Sequence, residues 1–301
     1  MPHRDRLITF PRVAQPRIAI LGVGLLGGSV GLALKAAGTN YHVVGYGHRA
    51  STLETAIQMG AIDEAFDSPE RAVVHADLVL LATPVGLFES LLKQIAPHLR
   101  ERALVTDVGS TKRSIVRAAE TLLPRGAFFV GSHPMAGSEK RGVEFAKPDL
   151  FRGARCILTP VDRTDSVALN KVESFWKLLG CKTIRMSPEE HDRLICDISH
   201  LPHAVAAALV AMQEEAALTL AGQGFLDTTR VAGGDGGLWR DIFQDNRDNV
   251  VESLKRLRAN LDDLVNMLEP ARADELARWL NRVAQRRAQL LEAKLKELHA
   301  E

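Results

Sequence analysis

Arg17-Ile18-Ala19-Ile20-Leu21-Gly22-Val23-Gly24-Leu25-Leu26-Gly27 is the stretch that decides the fold. An apolar, β-prone run enters three glycines spaced Gly-x-Gly-x-x-Gly, and a helix-permissive segment continues to about Gly38. Gly22 permits a tight turn, Gly24 lets the backbone approach a pyrophosphate, and Gly27 lets helix and strand pack closely. The helix that follows offers unpaired N–H groups and the positive end of its dipole to an anion. Glycine-rich turns also occur in domains of this kind that hold no ligand. The strand before, the helix after and a second strand beyond favour cofactor binding here.

Outward from this turn, short β-rich runs alternate with helical stretches. The strand candidates after Arg17–Gly22 are His42–Tyr46, Asp77–Thr83, Ala103–Val108, Ala127–Gly131, Arg155–Pro160 and Lys182–Met186. Helical patterns fill Val85–Leu99 and Thr111–Leu123. Strands rich in Val, Ile and Leu and separated by helices predict βαβ units, with a mostly parallel sheet buried on both faces. At Ser187-Pro188-Glu189-Glu190 a cap candidate is followed by proline and acids, which marks a helix start. Beyond it the pattern is helical. Ala204–Met212 is too short for a bilayer span and too apolar for a surface helix, so it reads as buried or as part of a subunit interface. A charged amphipathic stretch, Ala271–Ala300, closes the chain. The expected fold class is therefore α/β: a Rossmann-type domain over 17–186, an all-α domain over 187–301, and a short leader over 1–16 that is open to disorder.

The 301 residues carry 38 Lys+Arg and 37 Asp+Glu, a formal net charge of +1, with 46% hydrophobic and 25% charged residues. That balance argues against a disordered chain, and the lack of basic excess argues against nucleic acid as the main partner. No segment approaches the roughly 18 consecutive apolar residues of a membrane span, and the leader lacks a signal peptide's apolar core. Cys156, Cys181 and Cys196 are widely spaced with no Cys-x-x-Cys, so they read as reduced thiols in a cytoplasmic protein.

The choice of nicotinamide cofactor turns on the end of the second strand, where an acid would hold the ribose 2′-hydroxyl. The sequence there is Gly45-Tyr46-Gly47-His48-Arg49-Ala50-Ser51, and the acid is missing. Arg49 and Ser51, with His48, suit a 2′-phosphate through charge-assisted hydrogen bonds, although such a run is also compatible with a solvated loop. NADP is favoured, with NAD the alternative. Leu25 and Leu26 between the glycines, and Thr83-Pro84 after the Asp77–Thr83 strand, complete the cofactor-site candidates.

Three further stretches carry chemistry. Asp107-Val108-Gly109-Ser110-Thr111-Lys112 and Gly131-Ser132-His133-Pro134-Met135-Ala136-Gly137-Ser138-Glu139 both sit at C-terminal ends of strand candidates, where open α/β sheets place ligands. Ile198-Ser199-His200-Leu201-Pro202-His203 falls on a helix start, and Asp227-Thr228-Thr229-Arg230 lies downstream. By themselves these motifs reach an NAD(P)-dependent oxidoreductase with a histidine base. Taken in order, they resemble the prephenate/arogenate dehydrogenase family of tyrosine biosynthesis, from about residue 17 to about residue 268.

The resemblance implies a Rossmann domain followed by a helical domain that dimerises through interlocking helices, with the active site in the cleft between the two. It implies oxidative decarboxylation, from prephenate to 4-hydroxyphenylpyruvate or from arogenate to tyrosine, with hydride transfer to NAD(P). His133 matches the family's catalytic base, a group expected to titrate near neutrality beside the substrate hydroxyl. Ser110 matches the serine that orients that base, and it also reads as the cap of the Thr111–Leu123 helix. Arg230 matches the arginine that grips a substrate carboxylate, for which a guanidinium fork is suited. His200 matches a histidine of the substrate pocket, and Ser138 and Glu139 fall near its mouth. A metal held by His200 and His203 is disfavoured, because Cys196 is the only nearby thiol and no His-Glu-x-x-His is present. Gly233–Gly237 reads as a flexible turn that positions Trp239 and Arg240, and Asp241 as an arginine partner. Neither a regulatory ACT domain nor a chorismate mutase module is expected. The rival readings are a dehydrogenase of the β-hydroxyacid type, which would want a catalytic lysine in the helical domain, and a non-catalytic NADP-binding sensor.

Overall fold

The computed structural model describes residues 15–137 and 140–299. The leader, up to residue 14, and the pair Ser138-Glu139 lie outside the described residues. Eight strands form one sheet: β1 (Arg17–Leu21), β2 (His42–Tyr46), β3 (Glu64–Phe66), β4 (Leu78–Leu81), β5 (Leu104–Asp107), β6 (Phe128–Pro134), β7 (Arg155–Thr159) and β8 (Lys182–Arg185). Their order is β3-β2-β1-β4-β5-β6-β7-β8. All neighbours are parallel except β6 and β7, which run antiparallel. The sequence order reverses between β1 and β4, which places the binding crevice beyond the C-terminal ends of those strands.

Side-chain alternation explains why the sheet is covered twice. Ile18 and Ile20 belong to one core with Val30, Leu34, Phe151 and Trp176, while Ala19 and Leu21 belong to another with Val79, Leu81, Phe88 and Leu92. The helix Leu25–Ala36 packs so closely that a Cβ on Gly31 would lie 1.8 Å from the Ala61 carbonyl oxygen.

Several expectations are corrected. The short β3 and the helices Ala50–Gln58 and Pro69–Val73 were not anticipated between His42–Tyr46 and Asp77–Thr83. β6 runs past Gly131 to Pro134, so His133 is a strand residue. The Val85–Leu99 helix is a 3₁₀ turn (Val85–Leu87), an α-helix (Phe88–Ile95) and a second 3₁₀ turn at Ala96–His98, where Pro97 intervenes. The helix expected from Thr111 begins at Arg113, and Lys112, not Ser110, occupies its cap position.

In the helical part, Ser187 caps Pro188–Ile195 by accepting a hydrogen bond from Glu190 N at 3.1 Å. His200 does not start a helix. It ends a π turn, Cys196–His200, that runs directly into Leu201–Ala211. Pro202 has no N–H to give an α-helical bond to Ile198, and the wider turn accommodates that loss. Only His203 and Ala206 of Leu201–Ala211 are buried in this chain, which removes the buried-helix reading and leaves the interface reading. The continuous run Pro188–Ala211 is long and apolar enough to cross a bilayer by length and composition, a property that uninterrupted apolar runs did not register.

The chain divides into two compact units, Met1–Arg247 and Asp248–Glu301. In the second, the helix that ends at Met267 is followed by Ala273–His299, which leaves Leu261, Val265, Leu280, Val283, Leu290 and Leu291 exposed.

Candidate active site

The glycine turn is built as its spacing requires. Gly22 has φ +107°, and a Cβ there would stand 2.7 Å from the backbone of Ala82 and Thr83. A Cβ on Gly27 would lie 2.1 Å from the Gly22 carbonyl oxygen. Gly24 differs: nothing lies within 4 Å of its Cβ position. It is the cap residue of Leu25–Ala36, and no side chain caps that helix. Packing therefore demands glycine at 22 and 27 but not at 24, where open space lies beside an uncapped helix N-terminus. That fits a dinucleotide pyrophosphate. His48, Arg49 and Ser51 are exposed at the end of β2, and Thr83 and Pro84 follow β4 on the other side of β1.

At the end of β5 the Asp107 carboxylate fixes the next turn. It accepts from Gly109 N at 2.8 Å and Ser132 N at 3.0 Å, and it pairs with the fully buried Lys112 ammonium. A charge so deeply buried requires a partner of this kind. The Ser132 hydroxyl accepts from Trp176 Nε1 at 2.9 Å, which fixes the strand one residue before His133.

His133 is buried at the end of β6, and its Nδ1 lies 2.9 Å from His191 Nε2. His191 Nδ1 in turn lies 2.8 Å from Asp192 Oδ1. Burial first, then the neighbouring charges of His191, Lys112 and His200, hold the His133 imidazole well below its ordinary value. The expectation of titration near neutrality is corrected: desolvation keeps this ring neutral at physiological pH. Ser110 is half-buried and makes no hydrogen bond to His133; the contact that orients the ring comes from His191.

Asp192 also serves as a cap from outside. Its carboxylate accepts from Lys112 N at 2.8 Å and Arg113 N at 3.0 Å, the first donors of the Arg113–Leu122 helix, and from Arg113 Nε at 3.2 Å. Burial works to raise its pKa, but these bonds and the one from His191 prevail and hold it low. Asn246 extends the network. Its oxygen accepts from Arg113 Nη2 at 3.1 Å, and its Nδ2 donates to the Asp192 carbonyl at 2.7 Å. With the amide so oriented, Nδ2 faces His200 Nδ1 at 3.2 Å as a donor. The His200 proton therefore sits on Nε2, which is buried with no partner among the described residues. Burial lowers His200 to about 4, so it is a neutral donor lacking an acceptor.

His203 stacks on Trp239 with centroids 3.5 Å apart and planes 14° from parallel. Arg230 is exposed and opens the 3₁₀ turn Arg230–Gly233, which packs against Leu201–Ala211. The Gly233–Gly237 turn does more than flex, because Asp235 caps Gly236–Asp245 through Leu238 N at 2.7 Å and pairs with Arg141. Asp241 pairs with Arg240, as expected, at 2.6 Å. Its carboxylate lies 2.6 Å from the Cβ position of Gly86, so this helix sits on the turn after Thr83-Pro84. Gly137 approaches Leu26 of the nucleotide helix, which brings the His133 loop to the glycine turn. From sequence, Lys112 stands only as the last residue of the Asp107–Lys112 motif with no role assigned, and His191, Asp192 and Asn246 do not stand out. The only signals for them were a lysine inside an apolar strand–turn–helix and a His-Asp pair in a helix's first turns.

Comparison with known proteins agrees with this geometry. Residues 30–185 match the family model for the nucleotide-binding domain of prephenate dehydrogenase, and residues 187–282 match its dimerization domain. The chain belongs to the prephenate dehydrogenase family. It is 36% identical over 269 residues to the prephenate dehydrogenase of Bacillus subtilis, covering 87% of this chain and 72% of that one. Cyclohexadienyl dehydrogenase of Zymomonas mobilis is 32% identical over 255 residues, covering 80% and 87%. Among solved structures, Aquifex aeolicus prephenate dehydrogenase in complex with hydroxyphenyl propionate and NAD+ superposes with a TM-score of 0.86 at 36% identity. That match covers 93% of this chain and 99% of that one. Synechocystis arogenate dehydrogenase gives a TM-score of 0.78 at 33% identity, covering 91% and 99%.

Proposed function

We propose that this chain catalyses the oxidative decarboxylation of prephenate, or of its amino counterpart arogenate, in tyrosine biosynthesis, with NADP as the favoured hydride acceptor. The observation that carries the reading is His133. It is a buried, neutral imidazole held at one nitrogen only, near the end of β6, and the loop that follows it reaches the glycine turn at Gly137. Bound oxidised nicotinamide supplies the hydride acceptor. As hydride leaves the ring carbon that bears the hydroxyl, electrons of the ring–carboxylate bond complete the aromatic ring and CO2 departs. The hydroxyl proton passes to His133 Nε2 as positive charge builds and returns to the phenolic oxygen of the product. Ser110, at the strand end before it, contacts the same hydroxyl. Arg230 binds a substrate carboxylate, and the unpaired Nε2–H of His200 donates to a substrate oxygen. Arg49 and Ser51, with His48, hold the 2′-phosphate, where an acid would be expected for NAD. By the family resemblance, Ser138 and Glu139 are assigned to substrate binding.

The proposed domains are the nucleotide-binding module over 17–186 and the helical module over 187–301. The second dimerises through apolar surface that the single chain leaves uncovered, and Pro188–Ala211, which carries buried His191, Asp192 and His200, is a site and interface helix of a soluble cytoplasmic homodimer. The test is an assay at 340 nm that crosses prephenate and arogenate with NAD and NADP. Turnover is expected, fastest with NADP. His133→Asn should lower kcat by roughly 10²–10⁴, and Arg230→Ala should act mainly on substrate KM. Cofactor binding without turnover in all four combinations would refute the reading.

A further inference from the structure

The chain from Asp192 through His191 to His133 has a direction that donor and acceptor chemistry fixes. An ionised carboxylate only accepts, so at 2.8 Å from Asp192 Oδ1 the Nδ1 of His191 must carry its proton. Burial outweighs the Asp192 contact and lowers the His191 pKa, so the ring is neutral and its Nε2 is a lone pair. That lone pair lies 2.9 Å from His133 Nδ1, which must then be the donor. A neutral His133 with its proton on Nδ1 has its lone pair on Nε2, the nitrogen with no partner among the described residues. The ring planes meet at 62°, an edge-on approach suited to a hydrogen bond in the plane of the donor ring.

We propose that His191 is a positioning residue for the base. With Asp192 as its anchor, it locks His133 in the tautomer whose Nε2 accepts the substrate hydroxyl proton. The proposal rests on the reading of His133 as that base. In the reaction the proton reaches His133 Nε2, the ring becomes an imidazolium, and its Nδ1–H strengthens its bond to the His191 lone pair. The proton then returns to the phenolic oxygen. His191 stays neutral and Asp192 stays ionised throughout. Asp192 is itself rigidly held, because two backbone N–H groups and the Arg113 side chain converge on it.

The experiment is a double-mutant cycle on the full-length enzyme with His133→Asn, His191→Leu and both together, plus His191→Gln. Substrate and cofactor KM, kcat and thermal unfolding are measured for each. His191→Leu should lower kcat about 10- to 100-fold, part of the roughly 10²–10⁴ of a placed base, with KM changed less than about threefold. His191→Gln puts an amide oxygen near the place of Nε2 and should recover part of the loss. The double variant should be no slower than His133→Asn alone, because residues that act as a unit are not additive. Additive losses, or no rescue by glutamine, overturn the relay. Unchanged turnover in His133→Asn overturns the reading beneath it instead. Imidazole ¹⁵N spectra of the wild-type protein test the same point without relying on variants that fold. His133 and His191 should both show the Nδ1–H tautomer, and an Nε2–H tautomer at either refutes the proposal.

Discussion

Lowering the pH from 7.5 to 5 should destabilise this protein through its buried histidines. The fold holds His200 at about 4, against roughly 6.5 for an exposed imidazole. The folded value is depressed, so below 6.5 the unfolded chain binds the proton that the folded chain refuses. Stability is therefore complete above about 6.5 and is lost as pH falls towards the folded value. At pH 5 the gap is about 1.5 pH units below the unfolded value. At about 1.4 kcal/mol per unit, His200 alone removes about 2 kcal/mol. His133 and His191, lowered by burial before any other cause, act in the same direction. Asp192 and Glu173 do not compensate, because both are held low; Glu173, at about 2, and Asp192 titrate below this window. Urea denaturation at pH 7.5, 6.5, 5.5 and 5.0, at one fixed protein concentration because a dimer's stability depends on it, should show a loss of at least about 2 kcal/mol. His200→Gln, with no imidazole to protonate there, should flatten the curve by about one proton's worth. Stability that stays level or rises on acidification would refute the assignment of these rings as buried and neutral.

Two further substitutions separate the roles of the glycines. Gly27→Ala puts a methyl group 2.1 Å from the Gly22 carbonyl oxygen and should cost about 1–3 kcal/mol in a denaturation experiment. Gly24→Ala meets no protein atom, so it should leave stability nearly unchanged yet weaken cofactor binding more than about tenfold in a fluorescence titration. Arg49→Ala should raise the KM for NADP by roughly tenfold or more, the scale of one charge-assisted pair, and leave NAD almost unaffected. An equal loss for both cofactors would return Arg49 to a solvated loop.

What the sequence disclosed, and what it withheld, follows from how each feature is encoded. The glycine turn was readable because backbone geometry admits no other residue at Gly22 and Gly27, so the constraint is written in the residue type itself. The parallel core was readable because strands buried on both faces must be continuously apolar. The direction of β7 was not, since an apolar run such as Arg155–Thr159 has the same composition either way round. β3 was missed because three half-buried residues carry no period. The π turn at Cys196–His200 was missed although Pro202 signalled it. A proline near the start of an apolar run reads equally well as the first turn of a new helix.

His191 and Asp192 mark the deeper limit. In sequence they are two polar residues in the early turns of a helix that opens Ser-Pro-Glu-Glu, and such residues usually face water. Only the approach of that helix to the end of β5 turns Asp192 into the cap of Arg113–Leu122 and His191 into the partner of His133. The same carboxylate thus satisfies the first donors of one helix and accepts from the His191 ring that faces His133. Formation of the site is thereby tied to docking of the helical segment on the sheet. A nucleotide-binding module folded without Pro188–Ile195 would keep His133 on β6. Its Nδ1 would lose the His191 acceptor, and the choice of tautomer would pass to water. The surroundings of His133 are therefore completed by Pro188–Ile195, so the residues gathered there come from stretches far apart in the chain.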